Sequence, residues 1–195
     1  MSTDRQRWEA KYQTKAADAI RPPSGFLVEH LDQLPRGRAL DVACGDGRHA
    51  IHLARHGYAV DAIDIALSGL RRAREVLRRE RLSVNLIQAD LEDCPLPRDR
   101  YSVVINIRYL QRNLLPALKH ALRDGGVIVF ETFLADQASI SRPSNPAFLL
   151  DRGELRRAFQ DFDILFYEEG LFDSEGGQAF LARLLARRPT SWTPR

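Results

Sequence analysis

The sequence predicts an α/β protein with a single doubly wound, seven-stranded sheet, mostly parallel and ending in an antiparallel hairpin. Strand-like and helix-like segments alternate between residues 38 and 132, which is typical of parallel strands joined by right-handed helical crossovers. Runs such as VVINI and VIVF are almost entirely apolar, as expected for strands covered on both faces. Near the C-terminus, two strand-like segments flank the glycine-rich turn DSEGG, which predicts the hairpin.

The individual elements follow from the same patterning. Strands are predicted at residues 38–43, 58–63, 84–88, 101–107 and 126–132, ahead of the hairpin. Helices are predicted at residues 48–56, 67–81, 112–122 and 151–159, and shorter helical stretches at 4–19 and 25–34. We expect one domain, with residues 1–36 as an N-terminal helical cap and residues 37–195 as the sheet-bearing core.

The composition is that of an ordinary globular chain. The 195 residues are 44% hydrophobic and 28% charged, and they are numerous enough to bury a full core. No apolar run approaches the ~18–20 residues of a membrane span, and the first residues lack the apolar stretch of a secretory signal. Two cysteines do not make a disulfide framework. We therefore expect a cytoplasmic monomer or homodimer that does not bind membranes.

The basic residues are almost all arginine, but they alternate with acids. The net charge is only +3, and the densest arginine cluster lies at residues 71–81. Leu70, Ala73 and Leu77 recur there at helical spacing, so the arginines are predicted to form the solvated face of one helix. A nucleic-acid partner is consequently not favoured, because nucleic-acid-binding domains concentrate their positive charge.

The most informative segment is ALDVACGDGR, residues 39–48. An apolar strand that carries one early acid, Asp41, runs into a tight turn at Gly45 and Gly47, and a predicted helix begins at Arg48. Such a turn aims backbone N–H groups and a helix N-terminus at a bound ligand. The segment therefore predicts a ligand site at this turn.

Acidic residues also lie at the ends of the next two predicted strands. Asp64 ends the second strand in AVDAID, and Asp90 follows the third in LIQAD. Ligands of open α/β sheets bind outside the carboxyl ends of the strands, so these acids and Asp41 are expected to meet one ligand along its length. A carboxylate at Asp64 can accept from both hydroxyls of a ribose, and Asp90 suits the amino group of an adenine.

These motifs resemble those of class I S-adenosylmethionine (AdoMet) methyltransferases. The resemblance covers nearly the whole chain and is greatest to the small bacterial tellurite-resistance and thiopurine-type enzymes. It is carried by Asp41, residues 44–48, Asp64, residues 89–91 and the segment LRDGGVIVFETF at residues 122–133. A glycine turn of this kind also fits a nicotinamide or flavin site. Asp41 would repel a pyrophosphate, whereas the sulfonium and amine of AdoMet are cationic, so we favour AdoMet.

The resemblance implies AdoMet as cofactor and S-adenosylhomocysteine as product. The cofactor-binding residues that it implies are Tyr12, Asp41, Ala43, Cys44, Gly45, Asp46, Gly47, Arg48, Asp64, Ile65, Asp90, Leu91 and Asn106. One position departs from the family pattern: Ala66 stands where a Ser or Thr usually caps the next helix, and Ser68 is a candidate replacement. Trp8 and Tyr12 share a helix face that either folds over the ligand or pins the N-terminal segment to the sheet edge.

The acceptor site is expected at the ends of the fourth and fifth strands and in the loop at residues 134–150, a candidate lid. The residues predicted to contact the acceptor are Arg108, Tyr109, Arg112, Glu131 and Arg142. We hypothesise that the three arginines bind an anionic small molecule, because guanidinium groups pair with carboxylate or phosphate. The alternative is that they form structural ion pairs with Glu131, Asp136 or Asp151.

No dedicated catalytic base is predicted, because methyl transfer from an activated donor mainly requires alignment. Cys44 is interpreted as a small structural residue, and no metal site is expected from His49, His52 and His56, which no nearby acid or cysteine completes. Three function classes stay open: a small-molecule methyltransferase, which we favour, an RNA or protein methyltransferase, and a catalytically silent AdoMet-binding module.

Overall fold

The computed structural model describes residues 3–14, 20–174 and 177–193. It divides into two compact units, Met1–Leu96 and Pro97–Arg195. Within the described residues, no helix combines the length and the apolar character needed to cross a membrane.

The first unit holds three parallel strands and four helices. Its elements are α1 (Thr3–Gln13), α2 (Gly25–Glu29), β1 (Arg38–Val42), α3 (Arg48–Arg55), β2 (Ala59–Asp64), α4 (Leu67–Glu80) and β3 (Val84–Gln88). β2 pairs in parallel with both β1 and β3. The predicted strands and the helices at 48–56 and 67–81 are confirmed here to within one or two residues. The helix predicted at 25–34 is shorter: α2 ends at Glu29 and a separate 3₁₀ turn follows at Leu31–Gln33. α1 ends at Gln13, and the rest of the helix predicted to residue 19 lies largely outside the described residues.

The second unit holds the remaining four strands. Its elements are β4 (Tyr101–Ile107), α5 (Leu115–Ala121), β5 (Leu122–Phe133), α6 (Glu154–Ala158), β6 (Asp163–Ser174) and β7 (Gly177–Arg187). The helix predicted at residues 112–122 is a 3₁₀ turn followed by α5, because Pro116 sits in the first turn of the α-helix and Leu122 already belongs to β5. The helix predicted at residues 151–159 begins late, after Gly153 in a left-handed conformation.

All seven strands form one mixed sheet in the order β3-β2-β1-β4-β5-β7-β6. β7 runs antiparallel to both β5 and β6. The predicted architecture, a parallel sheet into which a C-terminal hairpin inserts one antiparallel strand, is thus confirmed. All seven residues of β4 are buried, which explains their nearly unbroken apolar sequence.

The loop at residues 134–150 is tied down at both of its ends. Leu134 donates its N–H to Phe180 O (3.0 Å), and Leu150 donates to Phe133 O (2.9 Å). Gln137 is buried, accepts from Phe180 N (2.8 Å) and donates to Arg142 O (3.2 Å). The stem of the candidate lid is therefore fixed to β5 and β7 by backbone hydrogen bonds.

Candidate functional site

The glycine turn between β1 and α3 has an unusual backbone. Ala43, Gly45 and Gly47 adopt positive φ angles of 51°, 59° and 76°. Cys44 donates its N–H to Ile63 O (2.9 Å), and its own carbonyl accepts from Gly47 N (2.9 Å). Left-handed conformations are costly for residues with a Cβ. Gly45 and Gly47 avoid that cost as the chain turns into α3, whereas Ala43 adopts a left-handed conformation despite its Cβ.

Tyr12 of α1 lies directly against this turn. A Cβ at Gly45 would overlap the Tyr12 hydroxyl and ring, so glycine is also required there for space. Burial raises the pKa of the Tyr12 hydroxyl, and the carboxylates of Asp64 and Asp46 raise it further. The structure thus places Tyr12 of the N-terminal helix against the glycine turn, and a cover over a bound ligand stays a prediction.

Asp41 is a buried acid that binds the start of α3. Its carboxylate accepts from the backbone N–H of Ala50 (2.9 Å), in the first turn of the helix. Only 1% of the residue is exposed. Burial raises the pKa of Asp41 to about 7, although the Ala50 N–H and Arg48 oppose the shift. The carboxylate is thus destabilised in a way that a nearby cation would relieve.

Asp64 closes the turn from the other side. Its two carboxylate oxygens accept from Gly45 N (2.7 Å) and Ala66 N (2.8 Å). Burial raises the pKa of Asp64, against the backbone N–H groups of Ala66, Gly45 and Ile65. Because a carboxylate offers about four acceptor positions, capacity remains for a hydroxyl group of a ligand. Asp64 therefore fixes the glycine turn and keeps capacity for the ribose contact that the sequence predicts.

The segment after β3 presents the third acid on a short turn. Asp90 accepts from Glu92 N (3.1 Å) through its side chain and from Cys94 N (2.9 Å) through its carbonyl. The next residue, Leu91, is buried. Gln88 donates to Ile65 O (3.3 Å), which joins the ends of β2 and β3. The predicted adenine contacts, Asp90 and Leu91, and the predicted cofactor residue Ile65 are consequently carried by neighbouring strand ends of one unit.

The missing cap of α4 is supplied by α1. Ala66 is the N-cap residue and provides no side-chain hydrogen bond. The Glu9 carboxylate accepts from Ser68 N at 3.1 and 3.2 Å, and the Ser68 hydroxyl donates to Glu9 O (3.1 Å). The N–H of Ser68 is therefore capped by Glu9. The prediction that the Ser68 side chain replaces the missing cap is wrong. The same contact anchors α1 so that Tyr12 meets Gly45.

Three other predicted cofactor residues lie in or directly after the turn. Asp46 is buried, and Arg48 begins α3 and donates to Pro22 O (3.3 Å). Cys44 is buried, and burial raises the pKa of its thiol. A thiol held protonated is a poor nucleophile, which agrees with a structural role for Cys44.

In the second unit, Asn106 and Tyr109 shape the exit from β4. Asn106 is buried and donates to Tyr109 O (2.7 Å), while the Tyr109 hydroxyl donates to Gln111 Oε1 (2.5 Å). Asn106 thus has a backbone partner within the same turn, and its predicted contact with the cofactor stays a prediction.

Beside this exit lies a cluster of two arginines on one buried acid, Glu131. Arg108 Nε approaches one Glu131 oxygen at 3.4 Å, and Arg183 Nε donates to the other at 2.8 Å. The guanidinium groups lie over Phe133 and Phe172, at 4.6 and 3.9 Å from the ring centres. Glu131 is 0% exposed, whereas the side chains of Arg108 and Arg183 keep 21% and 15% of their surface. Glu168 of β6 also stands opposite Arg183 in the β6–β7 register.

The other two predicted arginines are Arg112 and Arg142. The contacts described for them do not involve this cluster. Arg112 donates to both oxygens of Glu154 (2.6 and 2.9 Å) and to Leu149 O (2.8 Å). The hydrogen bond with Glu154 raises the pKa of Arg112. Arg142 is exposed in the long loop. The structural ion pair considered for Arg112 therefore exists, but with Glu154 as its partner.

Arg183 was missed by the sequence analysis. Its residue type and strand position gave a weak signal, because the acid that it pairs with lies on β5, 52 residues away. Only the β5–β7 register, in which Glu131 stands opposite Arg183, brings the two together. Phe172 and Ser174 of β6 are brought in by the β6–β7 pairing, and Ser174 Oγ accepts from Arg108 (3.1 Å).

The first unit's site fits a ligand that combines a cation with hydroxyl groups. Asp41 and Asp64 are buried acids whose pKa values are raised by burial, so a cation beside them would be stabilising. The side chain that lies nearest to Gly45, where a Cβ would stand, is that of Tyr12. The two acids agree with AdoMet and disfavour a pyrophosphate.

Comparison with known proteins points the same way. The family model described as "Methyltransferase domain" matches residues 39–126. A malonyl-[acyl-carrier protein] O-methyltransferase from Enterobacter lignolyticus is 30% identical over 129 residues, 64% of this chain and 47% of its own. Hemagglutinin 1 from Eikenella corrodens is 27% identical over 201 residues, 93% of this chain and 66% of its own. The chain thus spans less than two thirds of the length of either relative.

Among solved structures, TehB from Haemophilus influenzae superposes with a TM-score of 0.73 at 22% identity. The match covers 94% of this chain and 66% of TehB. At this identity the likeness establishes a shared fold.

Proposed function

We propose that this chain, in which residues 39–126 match a methyltransferase domain model, transfers the methyl group of AdoMet to a small acceptor that bears an anionic group. The inference that the acceptor bears an anionic group rests on the cluster around Glu131. Two partly accessible guanidinium groups, Arg108 and Arg183, lie there beside a buried carboxylate. Guanidinium groups bind carboxylate and phosphate with defined geometry.

The cofactor would be held by the residues around the glycine turn. AdoMet supplies an activated methyl group. The electron pair of the S–CH₃ bond stays on the sulfur, and the acceptor provides the electron pair of the new bond. Asp41 would stabilise the cationic end, the free acceptor positions of Asp64 would bind the ribose hydroxyls, and Asp90 would bind the adenine amino group. Gly45 would let the cofactor approach the backbone, with Tyr12 covering it.

The protein's contribution to the reaction is alignment and exclusion of water. Holding an acceptor in line with a bond that is ready to break supplies roughly 7–11 kcal/mol of the barrier. Arg108 and Arg183 would bind the acceptor's anionic group, and their stacking on Phe133 and Phe172 would hold the guanidinium planes in place. A proton lost by the acceptor can pass to water, so no side chain is assigned as a base.

The proposal is tested by following a labelled methyl group. The protein is incubated with [methyl-³H]AdoMet and a cell extract, and label is counted in small molecules, RNA and protein. The proposal expects label in small molecules that are retained on an anion exchanger. Label in RNA or protein would replace the proposal with the macromolecular alternative, and AdoMet binding with no labelled product would indicate a silent binding module.

A pair of variants isolates the role of the arginine cluster. Arg183→Met removes one guanidinium from Glu131, while Arg187→Met removes an exposed arginine four residues further along β7. We expect the first to raise the KM for the acceptor about tenfold or more, as for the loss of one charge-assisted hydrogen bond, and to leave AdoMet affinity unchanged. Equal KM values for the two variants would remove the cluster from the acceptor site.

A further inference from the structure

A groove on the first unit runs between α4 and the outermost strand of the sheet. Its volume is about 360 Å³. Strand β3 stands at the end of the strand order, so only β2 pairs with it. The row formed by Val84, Leu86 and Gln88 lines the groove on the strand side. In a doubly wound sheet, helices normally cover both faces of the strands, and here part of one face of β3 is left open.

The walls of this groove combine an apolar floor with a basic rim. The floor is leucine and valine: Leu70 and Leu77 are buried, and Leu82, Val84 and Leu86 are half-buried. The rim is formed by Arg71, Arg74 and Arg78, which are exposed and lie three and four residues apart on one side of α4. No acidic residue is among those that line the groove.

We propose that this arginine-rimmed groove binds an acidic amphipathic helix of a partner protein. A helix laid beside α4 would continue the helical layer over β3, with an apolar stripe on the leucine floor at the usual helix-packing distance of about 8–10 Å. Glutamate or aspartate flanking that stripe would face the three arginines. The groove thus matches such a helix both in apolar surface and in charge.

The same features argue against two other occupants. A second copy of the chain, related by a two-fold axis through the groove, would place the arginine stripe against itself. A nucleic acid would find the positive charge but no aromatic side chain among the lining residues on which to stack a base, and the leucine floor would contribute nothing to its binding. The inference is independent of the acceptor proposed above.

The proposal is tested with a fluorescent 18-residue peptide designed as a helix, with leucines on one face and glutamates on both flanks. Binding to the full chain is measured by fluorescence anisotropy and is expected to saturate. Arg74→Glu should weaken it about tenfold or more, the loss expected when a charge-assisted contact becomes a repulsion. Arg79→Glu makes the same charge change on the same helix outside the groove, and should weaken binding less than twofold.

Further arms separate the apolar and electrostatic contributions. A peptide in which serine replaces each leucine should not bind, and hydrogen exchange should slow in β3 and α4 when the original peptide is added. Unchanged AdoMet affinity in both variants shows that they are folded. Equal weakening by the two variants, tighter binding of an 18-nucleotide RNA than of the peptide, or self-association through the groove would each overturn the proposal.

Discussion

Replacing Asp41 by Asn should stabilise the protein at pH 8 and weaken AdoMet binding at the same pH. Burial raises the pKa of Asp41 from its ordinary value of 3.8 to about 7 in the folded chain. Between these two values the folded state holds a proton that the unfolded state has lost. The contribution of Asp41 to stability is therefore fully present below pH 4 and is lost as the pH rises through 7.

The size of the effect follows from the same shift. A carboxyl with a folded pKa of about 7 contributes roughly 2.5 kcal/mol more to the free energy of unfolding at pH 5 than at pH 8. In a domain of this length that corresponds to about 5–10 °C in Tm. An asparagine at position 41 can still accept from Ala50 N, the partner of the carboxylate, and carries no charge. It should resemble the protonated wild type at every pH.

The assay is urea unfolding of wild type and Asp41→Asn at pH 5, 6, 7 and 8, with Asp93→Asn as an exposed control. The Asn variant should be more stable than wild type by roughly 1.5 kcal/mol at pH 5 and by roughly 4 kcal/mol at pH 8, because the wild type loses stability from pH 4 to pH 7. AdoMet titrations at the same pH values should show about a tenfold weaker affinity of the variant at pH 8 and a smaller difference at pH 5. An Asn variant that is less stable than wild type at every pH, with an unchanged slope, would refute the reasoning.

Three further substitutions test separate contacts. Gly45→Ala should lower AdoMet affinity more than Gly57→Ala does in titrations, because both glycines have positive φ but only at Gly45 would a Cβ meet Tyr12. Glu9→Ala should lower the free energy of unfolding by about 0.5–2 kcal/mol, the worth of a helix cap, and Glu9→Gln should recover most of it, as urea midpoints would show. Glu131→Gln should cost about 2–4 kcal/mol in the same measurement, because it leaves two guanidinium groups without their shared carboxylate; a loss below ~0.5 kcal/mol would contradict the cluster.

The features that sequence analysis predicted well are those that local pattern determines. Apolar runs and glycine turns located the strands, and DSEGG located the hairpin that brings an antiparallel strand into the sheet. Asp64 was identified because it ends a strand. Its bond to Gly45 N was not, because that contact depends on how two strand ends meet in space.

The features that were missed depend on contacts between distant parts of the chain. The cap of α4 comes from Glu9, 59 residues away from Ser68, so no local pattern around Ala66 could reveal it. Arg112 was assigned to a ligand because no acid close to it in the sequence indicated its partner. That partner, Glu154, lies 42 residues further on. In each case a charged side chain found its partner through tertiary packing, which the spacing of residues along the sequence does not encode.

The central claim is that Asp41, Asp64 and Asp90, with the turn at Gly45, form a site for AdoMet. It is tested most directly by calorimetric titration of the full chain with AdoMet and with NAD⁺, repeated on Asp64→Asn and Asp90→Asn. The account predicts saturable binding of one AdoMet per chain, no binding of NAD⁺, and an affinity about tenfold weaker in each variant. Binding of NAD⁺ in place of AdoMet, or AdoMet binding that neither variant weakens, would contradict it.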